Sequence, residues 1–299
     1  MVGSTIPKRA FGRFLRGLRE RVGASLLTAS LQIDTSKQTM VRLEDGLPTK
    51  VTTPQLKSLL DLYEVDSDVR REALEMWQDV RQQDKAAKLQ GTYKGWWQAY
   101  ADQYAPHFDH YLRLEATSNH WISHQLVHVP GLLQTSEYRR AIIRAAHADL
   151  TEIDVDRRLE LAARRQERTL EPDFRMDAVL SEAVLRHRPG GRAVMAAQLR
   201  HLAEAGTRDN VSIRVVPFSA DTHAGLGILS FTLLEFPLLS CHLKEPPCVY
   251  IDGAEGALYL ESDRVIERFK TAISSMQRVA LSERDTRDLM SDIAKEYAA

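Results

Sequence analysis

At 299 residues, with a formal net charge of −1, the chain is long enough for about two domains, each able to bury a substantial core. The N-terminus carries no apolar signal segment and no apolar run approaches the ~20 residues that a helix needs to cross a bilayer; two cysteines, Cys241 and Cys248, make neither a disulfide framework nor a zinc pattern. The expectation is a soluble cytoplasmic protein with reduced thiols, and its charge is uneven: residues 1–61 hold ten Lys or Arg against five Asp or Glu, a balance of +5 that leaves −6 for the remainder.

The basic end opens with a predicted helix whose stripe Phe11, Phe14, Leu15, Leu18 and Val22 marks a buried face. Arg9, Arg13, Arg16, Arg19 and Arg21 lie on the same helix. Arg13 and Arg16 are candidate phosphate contacts, although a run of charge more often only keeps a helix face wet.

Residues 25–46, SLLTASLQIDTSKQTMVRLEDG, read as two short helices joined by a tight turn. Ser25 can cap the first by accepting from a backbone N–H two or three positions on, and it is a further candidate phosphate contact. Ala29, Ser30 and Ile33 supply a small inward stripe that lets a second helix cross closely. Asp34 occupies the turn, where Asp tolerates a left-handed backbone better than most residues. Ser36 caps a second helix over residues 37–44, in which Met40 and Leu43 face the core, and Gly46 ends it. Ser36, Lys37, Gln38, Thr39, Val41 and Arg42 remain outward, as groups able to reach base edges and phosphates from a helix in the major groove.

This string resembles the XRE family, the Cro and phage-repressor type of helix-turn-helix protein. In that family's recognition helix a small polar run and a hydrophobic residue precede Arg-hydrophobic-Glu-x-Gly, here Arg42, Leu43, Glu44, Asp45 and Gly46. The family usually has Gln just after the first cap and Gly in the turn, where this chain has Leu26 and Asp34. Leu26 therefore receives no DNA role, and the expected contacts shift onto Lys37 to Arg42.

Thr53 followed by Pro54 predicts a cap and first-turn proline for a helix with Leu56, Leu59, Leu60 and Tyr63 as its apolar set. A further helix from near Asp66 carries Val69, Ala73, Leu74, Met76, Trp77 and Val80. Residues 81–94, rich in Lys and Gln, read as a linker or a helix extension. Beyond it a helical segment holds Phe108, Tyr111, Leu112, Leu114, Glu115 and Ala116. Residues 125–135 read as a short strand and turn, 136–146 and 151–169 as helices, and 174–180, 211–216, 228–236, 248–251 and 257–260 as strands. A helix over 192–205 lies between the first two of those strands, and helices over 262–280 and 282–297 close the chain. The expected fold is therefore multidomain, α and α+β. It has an all-α helix-turn-helix domain of about five helices (1–84), a linker (85–94) and a larger mixed α+β domain (95–299) ending in two helices.

The resemblance extends through the second region. Gly95-Trp96-Trp97 with Tyr100, Val129-Pro130-Gly131-Leu132-Leu133-Gln134-Thr135 with Glu137-Tyr138, Pro217-Phe218-Ser219 with His223-Ala224-Gly225, and the run from Phe231 to Phe236 look like a C-terminal domain widespread in actinobacterial regulators. No activity comes with that resemblance. It does imply an antitoxin-like transcriptional regulator paired with a small acidic protein encoded beside it.

Three groupings invite chemistry and are weighed against plainer readings. His120, His124 and His128 recur every four residues and His107 precedes His110 by three, spacings that a continuous helix would turn into metal-ligand positions; Pro130 argues against such a helix, and no metal is expected. Ser219, Asp221 and His223 are the residue types of a hydrolase triad, yet groups so close along a chain rarely converge in triad geometry, and no catalytic residue is assigned. Trp96, Trp97, Tyr100 and His223 are candidates for a ligand or partner pocket, with packing between the two domains as the alternative for the aromatic set. Glu115, within an apolar helical face, reads as a buried carboxylate held by an arginine or by backbone N–H groups.

The functional expectation is a sequence-specific DNA-binding regulator, not an enzyme and without a cofactor. It would bind a palindromic double-stranded operator as a homodimer through the C-terminal domain, be associated with the nucleoid when bound, and be controlled through the small acidic protein. The alternatives are a protein-binding module that chiefly holds that partner and a small-molecule-sensing regulator built on the α+β domain.

Overall fold

The computed structural model describes residues 6–89, 95–238 and 245–298. They divide into two compact units, Met1–Ala99 with Pro237–Glu245, and Tyr100–Phe236 with Pro246–Ala299. Cys241 lies outside the described residues.

The first unit is helical: α1 (Ile6–Arg21), α2 (Leu26–Gln32), α3 (Lys37–Glu44), α4 (Thr53–Leu62) and α5 (Ser67–Leu89). Short side chains start the middle three. Ser25 and Ser36 accept from the backbone N–H of Thr28 and Thr39 at 3.0 and 3.1 Å, each satisfying a donor that the first helical turn leaves without a partner. The cap of α4 is Thr52 rather than Thr53, because Thr52 forms a reciprocal capping box with Gln55. Asp34 takes the left-handed turn at φ 49°. Phe11, Leu15 and Leu18 of α1 join Ala29, Ile33, Met40, Leu43, Leu56, Leu59, Leu60 and Trp77 in one core. Val22, read above as part of that stripe, lies beyond the end of α1 and is 40% exposed. α5 continues to Leu89, through the stretch read as a linker or helix extension.

The second unit is built on a six-stranded mixed sheet with β1 (His120–Gln125), β2 (Arg175–Ser181), β3 (Val211–Val216), β4 (Phe231–Glu235), β5 (Cys248–Gly253) and β6 (Gly256–Leu260) in the order β3-β2-β1-β4-β5-β6. β1, β2 and β3 run parallel, and β4, β5 and β6 follow antiparallel. Parallel neighbours need long crossovers. α7 (Ser136–Ala146) and α8 (Glu152–Gln166) supply the first; α9 (Glu182–Arg186) and α10 (Arg192–Ala205) supply the second. α6 (Phe108–Thr117) precedes the sheet, and α11 (Asp263–Val279) and α12 (Glu283–Ala298) close the unit. Ile266, Phe269, Ile273 and Met276 of α11 pack with Ile122, Val179, Phe231, Leu233 and Val249 from the strands.

One expectation is corrected here. The strand read at 125–135 lies earlier, at His120–Gln125, and the VPGLLQT stretch is loop with a short 3₁₀ turn at Gly131–Leu133. β1 is central and buried on both faces although it reads HWISHQ, so no apolar alternation announces it. The spacing of His120 and His124 fits a strand face as well as a helix face, since four is also a multiple of the strand period. Among the described residues no cluster of three metal-ligating side chains occurs.

Candidate nucleic-acid interface

α3 is pinned from behind. Met40, Leu43 and Glu44 are buried, and α1 crosses so closely at Gly12 that a Cβ there would stand 2.5 Å from the Glu44 carbonyl oxygen. Gly46, at φ 66°, lies where a Cβ would meet the backbone of Arg9 at 2.5 Å; it ends α3 and admits α1 at once. Gly12 has no turn signature and was not singled out from the sequence; only the crossing explains it.

Beneath the helix Glu44 receives two arginines. Arg19 donates from Nε at 2.6 Å and from Nη2 at 3.0 Å, and Arg16 donates from Nε at 3.3 Å. Arg16 also reaches Asp45 at 2.6 Å. Burial works against the Arg16 charge, but its bonds to Asp45 and Glu44 outweigh that and raise its pKa; the bond to Glu44 does the same for Arg19.

The outward face carries the remaining predicted residues. Ser36, Lys37 and Gln38 are exposed, and Thr39, Val41 and Arg42 are half-buried. Ser36 is committed to its cap, with its hydroxyl also 2.9 Å from that of Thr39. Arg42 donates from Nη2 to the carbonyl of Pro48 at 3.0 Å, which leaves the rest of its fork for other acceptors. Of the flanking residues, Ser25 caps α2 and Arg13 forms an ion pair with Glu245 at 2.8 Å. The arrangement is two short helices, the second exposing a polar edge on a buried base, as a major-groove reader requires.

Two known families match parts of the chain. Residues 10–74 match a helix-turn-helix domain, of the kind typical of DNA-binding transcriptional regulators, and residues 108–292 match a domain of unknown function, DUF5753. The chain belongs to the DUF5753 family. No curated protein and no solved structure matches it.

Within the DUF5753 region the VPGLLQT loop is built in by side-chain amides. Gln134 donates to the Val129 carbonyl at 2.6 Å, Gln166 to those of Gly131 and Gln134 at 3.1 and 2.7 Å, and Gln198 to that of Leu133 at 2.7 Å while accepting from Thr135 N–H at 2.7 Å. A buried loop needs such partners because its backbone has no ladder. Glu115, as read above, is a buried carboxylate held by an arginine: Arg165 donates from Nε and Nη2, both at 2.7 Å. The predicted pocket residues do not fall in one unit. Trp96 and Trp97, edge to face at 5.9 Å, belong to the first; Tyr100, with Arg157 6.0 Å above its ring, and His223, at the start of a 3₁₀ turn, belong to the second. Among the described residues no helix is long and apolar enough to cross a membrane.

Proposed function

We propose that the chain is a sequence-specific transcriptional regulator of the antitoxin-like class, which binds a palindromic operator as a homodimer and is controlled through a small acidic protein encoded nearby. The observation that carries this reading is α3, capped at Ser36, anchored by Met40, Leu43 and Glu44, and presenting Lys37 and Gln38 to solvent. In the major groove Gln38 matches the donor and acceptor pair of adenine, Arg42 matches guanine, Lys37 takes a phosphate, and Thr39 and Val41 offer methyl groups to thymine. Ser25 serves as a flanking phosphate contact. A phosphate reaching Arg16 competes with Asp45, and one reaching Arg13 competes with Glu245. Dimerisation through the second unit sets two α3 helices about 34 Å apart, one helical turn of DNA.

Selection of bound genomic fragments at stated salt tests the reading, since an affinity without its salt concentration has no meaning; failure to enrich any sequence would overturn it. On the selected operator Arg42→Ala is expected to weaken binding by about 1–3 kcal/mol and to relax one position, whereas Lys37→Ala weakens all sequences alike and lowers the salt slope by about one. Unchanged operator affinity in a correctly folded Arg42→Ala protein would remove Arg42 from the contacts. Co-purification with the neighbouring gene product and a mobility shift that changes on its addition test the partner.

A further inference from the structure

A cavity of about 550 Å³ opens in the second unit, a size at which small-molecule sites are common. Its wall brings together Arg139 of α7, Arg165 of α8, Gln125 of β1 and Phe108 of α6. The two guanidinium groups converge on Gly131, where a Cβ would stand 3.6 Å from Arg165 Nη1 and 3.8 Å from Arg139 Nη1. Their situations differ. Glu115 answers Arg165 with both carboxylate oxygens, whereas Arg139 has no ion pair among the described residues. It donates from Nη1 to the neutral Gln134 Oε1 at 3.2 Å, and its Nε, shut off from solvent, has no hydrogen-bond partner there. Among the described residues the one carboxylate in the wall is Asp252, which accepts from the Tyr250 hydroxyl at 2.8 Å and lies 3.7 Å from His107 Nε2.

Gln125 adds a second vacancy. Its amide nitrogen donates to Ser123 at 2.9 Å, but its Oε1 is buried without a donor. A buried polar atom without a partner is costly, and two residues that line one cavity each hold one, of opposite kind: together they call for an anion at Arg139 and a donor at Gln125. Burial, reinforced by the charges of Arg165 and Arg158 and only partly offset by those of Glu115 and Asp252, pushes the Arg139 guanidinium down to about 10, a penalty that an anion beside it relieves. Phe108, with Arg165 stacked 5.2 Å from its ring centre, supplies an apolar wall.

We propose that this cavity binds a small organic anion, a carboxylate or phosphate carried on a flat apolar body, with Arg139 taking the anionic group in its planar fork and Gln125 Oε1 accepting from a donor on the body. The site goes beyond the DNA-reading function and is tested without DNA, so the two can fail separately.

The probes are benzoate and phenyl phosphate, with benzyl alcohol as the neutral control and acetate and inorganic phosphate as heads without a body, titrated calorimetrically into the full chain. At least one of the two aryl anions is expected to bind and to raise Tm; which of them does so distinguishes a carboxylate site from a phosphate site. Arg139→Gln is expected to weaken that binding at least about tenfold. Arg140→Gln, one residue along and paired outward with Glu152 and Asp156, is expected to bind as the parent does. If Arg139→Gln does not fold, Gln125→Glu replaces it: a carboxylate in the wall is expected to weaken the anion by a similar factor. No binding of either aryl anion at ~10 mM, equal binding of benzyl alcohol, binding of the bare heads as tight as that of the aryl anions, or anion binding undiminished in the folded variant would each overturn the proposal.

Discussion

At Glu44 three charges meet in a space that holds little water: the carboxylate is 1% exposed, and Arg19 and Arg16 both donate to it. Taking such ions out of water costs nearly as much as their attraction returns, so the pair adds little net stability, but removing one partner leaves a buried charge unanswered. Glu44→Ala is therefore expected to lower the unfolding free energy by about 3–5 kcal/mol in urea titration. Replacing Arg19 and Glu44 together by Met and Leu should cost much less. A double variant as unstable as the single one would show that the loss is one of packing and not of charge. The sequence marks Glu44 through its place in the Arg42 to Gly46 string, but its partners lie 25 and 28 residues away, and their choice among five arginines on α1 comes from the angle at which α1 crosses α3 over Gly12.

The strand β1 behaves as an element in the same way. His120, at its start, bonds through Nδ1 to Glu235 of β4 at 2.9 Å and through Nε2 to Asp177 of β2 at 2.8 Å. Arg175 and Lys270 balance the two carboxylates from outside. Burial opposes the imidazolium, but the two carboxylates outweigh it and hold the His120 pKa above its ordinary 6.5. The His120 bond, the largest influence, and Lys270 bring Glu235 down to about 2, and Asp177 is also lowered against its own burial. A raised histidine contributes stability that is present in full below its unfolded value and is lost as pH rises through its folded one. Lowered carboxylates contribute stability present above their unfolded values and lost as pH falls towards their folded ones. Denaturation of the parent is thus expected to show stability falling as pH rises from the ordinary histidine value of 6.5 through the raised folded one, and His120→Asn should flatten that fall; an equal slope in both would remove His120 as its source. The strand escaped the sequence reading for the reason that makes it important. Its central place lets polar side chains be buried against neighbouring strands, so alternation disappears, and a histidine spacing shared by helix and strand remained the visible signal.

Across the whole molecule, order along the chain and membership of a unit part company at one segment. Pro237–Glu245 follows β4 and precedes β5, yet it counts with the helix-turn-helix unit. There Glu245, fully buried, pairs with Arg9 at 3.0 Å and Arg13 at 2.8 Å. The helical unit therefore holds a carboxylate encoded more than two hundred residues after α1. Two units with separate cores are expected to unfold in two steps. Glu245→Ala in the full chain should move the step of the helical unit down, by about 3 kcal/mol for a buried pair deprived of one partner, and leave the other step in place. Calorimetry checks this; an unchanged trace would show that Arg9 and Arg13 do not depend on Glu245.

What the sequence determined by itself is local. The serine caps of α2 and α3, the left-handed Asp34, the stop at Gly46 and the apolar sets of α3, α4 and, apart from Val22, α1 each follow from hydrogen bonds and side-chain spacing within one or two helical turns, and each was legible there. The limits of α7, α10 and β3 were equally legible, because a strong period or a capping residue bounds them. What only the tertiary structure decided is long-range: β1 between β2 and β4, Arg165 on Glu115 across 50 residues, Glu245 beneath α1, and the meeting of Arg139 with Gln125 around one cavity. The physical reason is that a helix closes its hydrogen bonds within itself, whereas a strand, a buried charge and a cavity wall are completed by whatever the fold brings beside them.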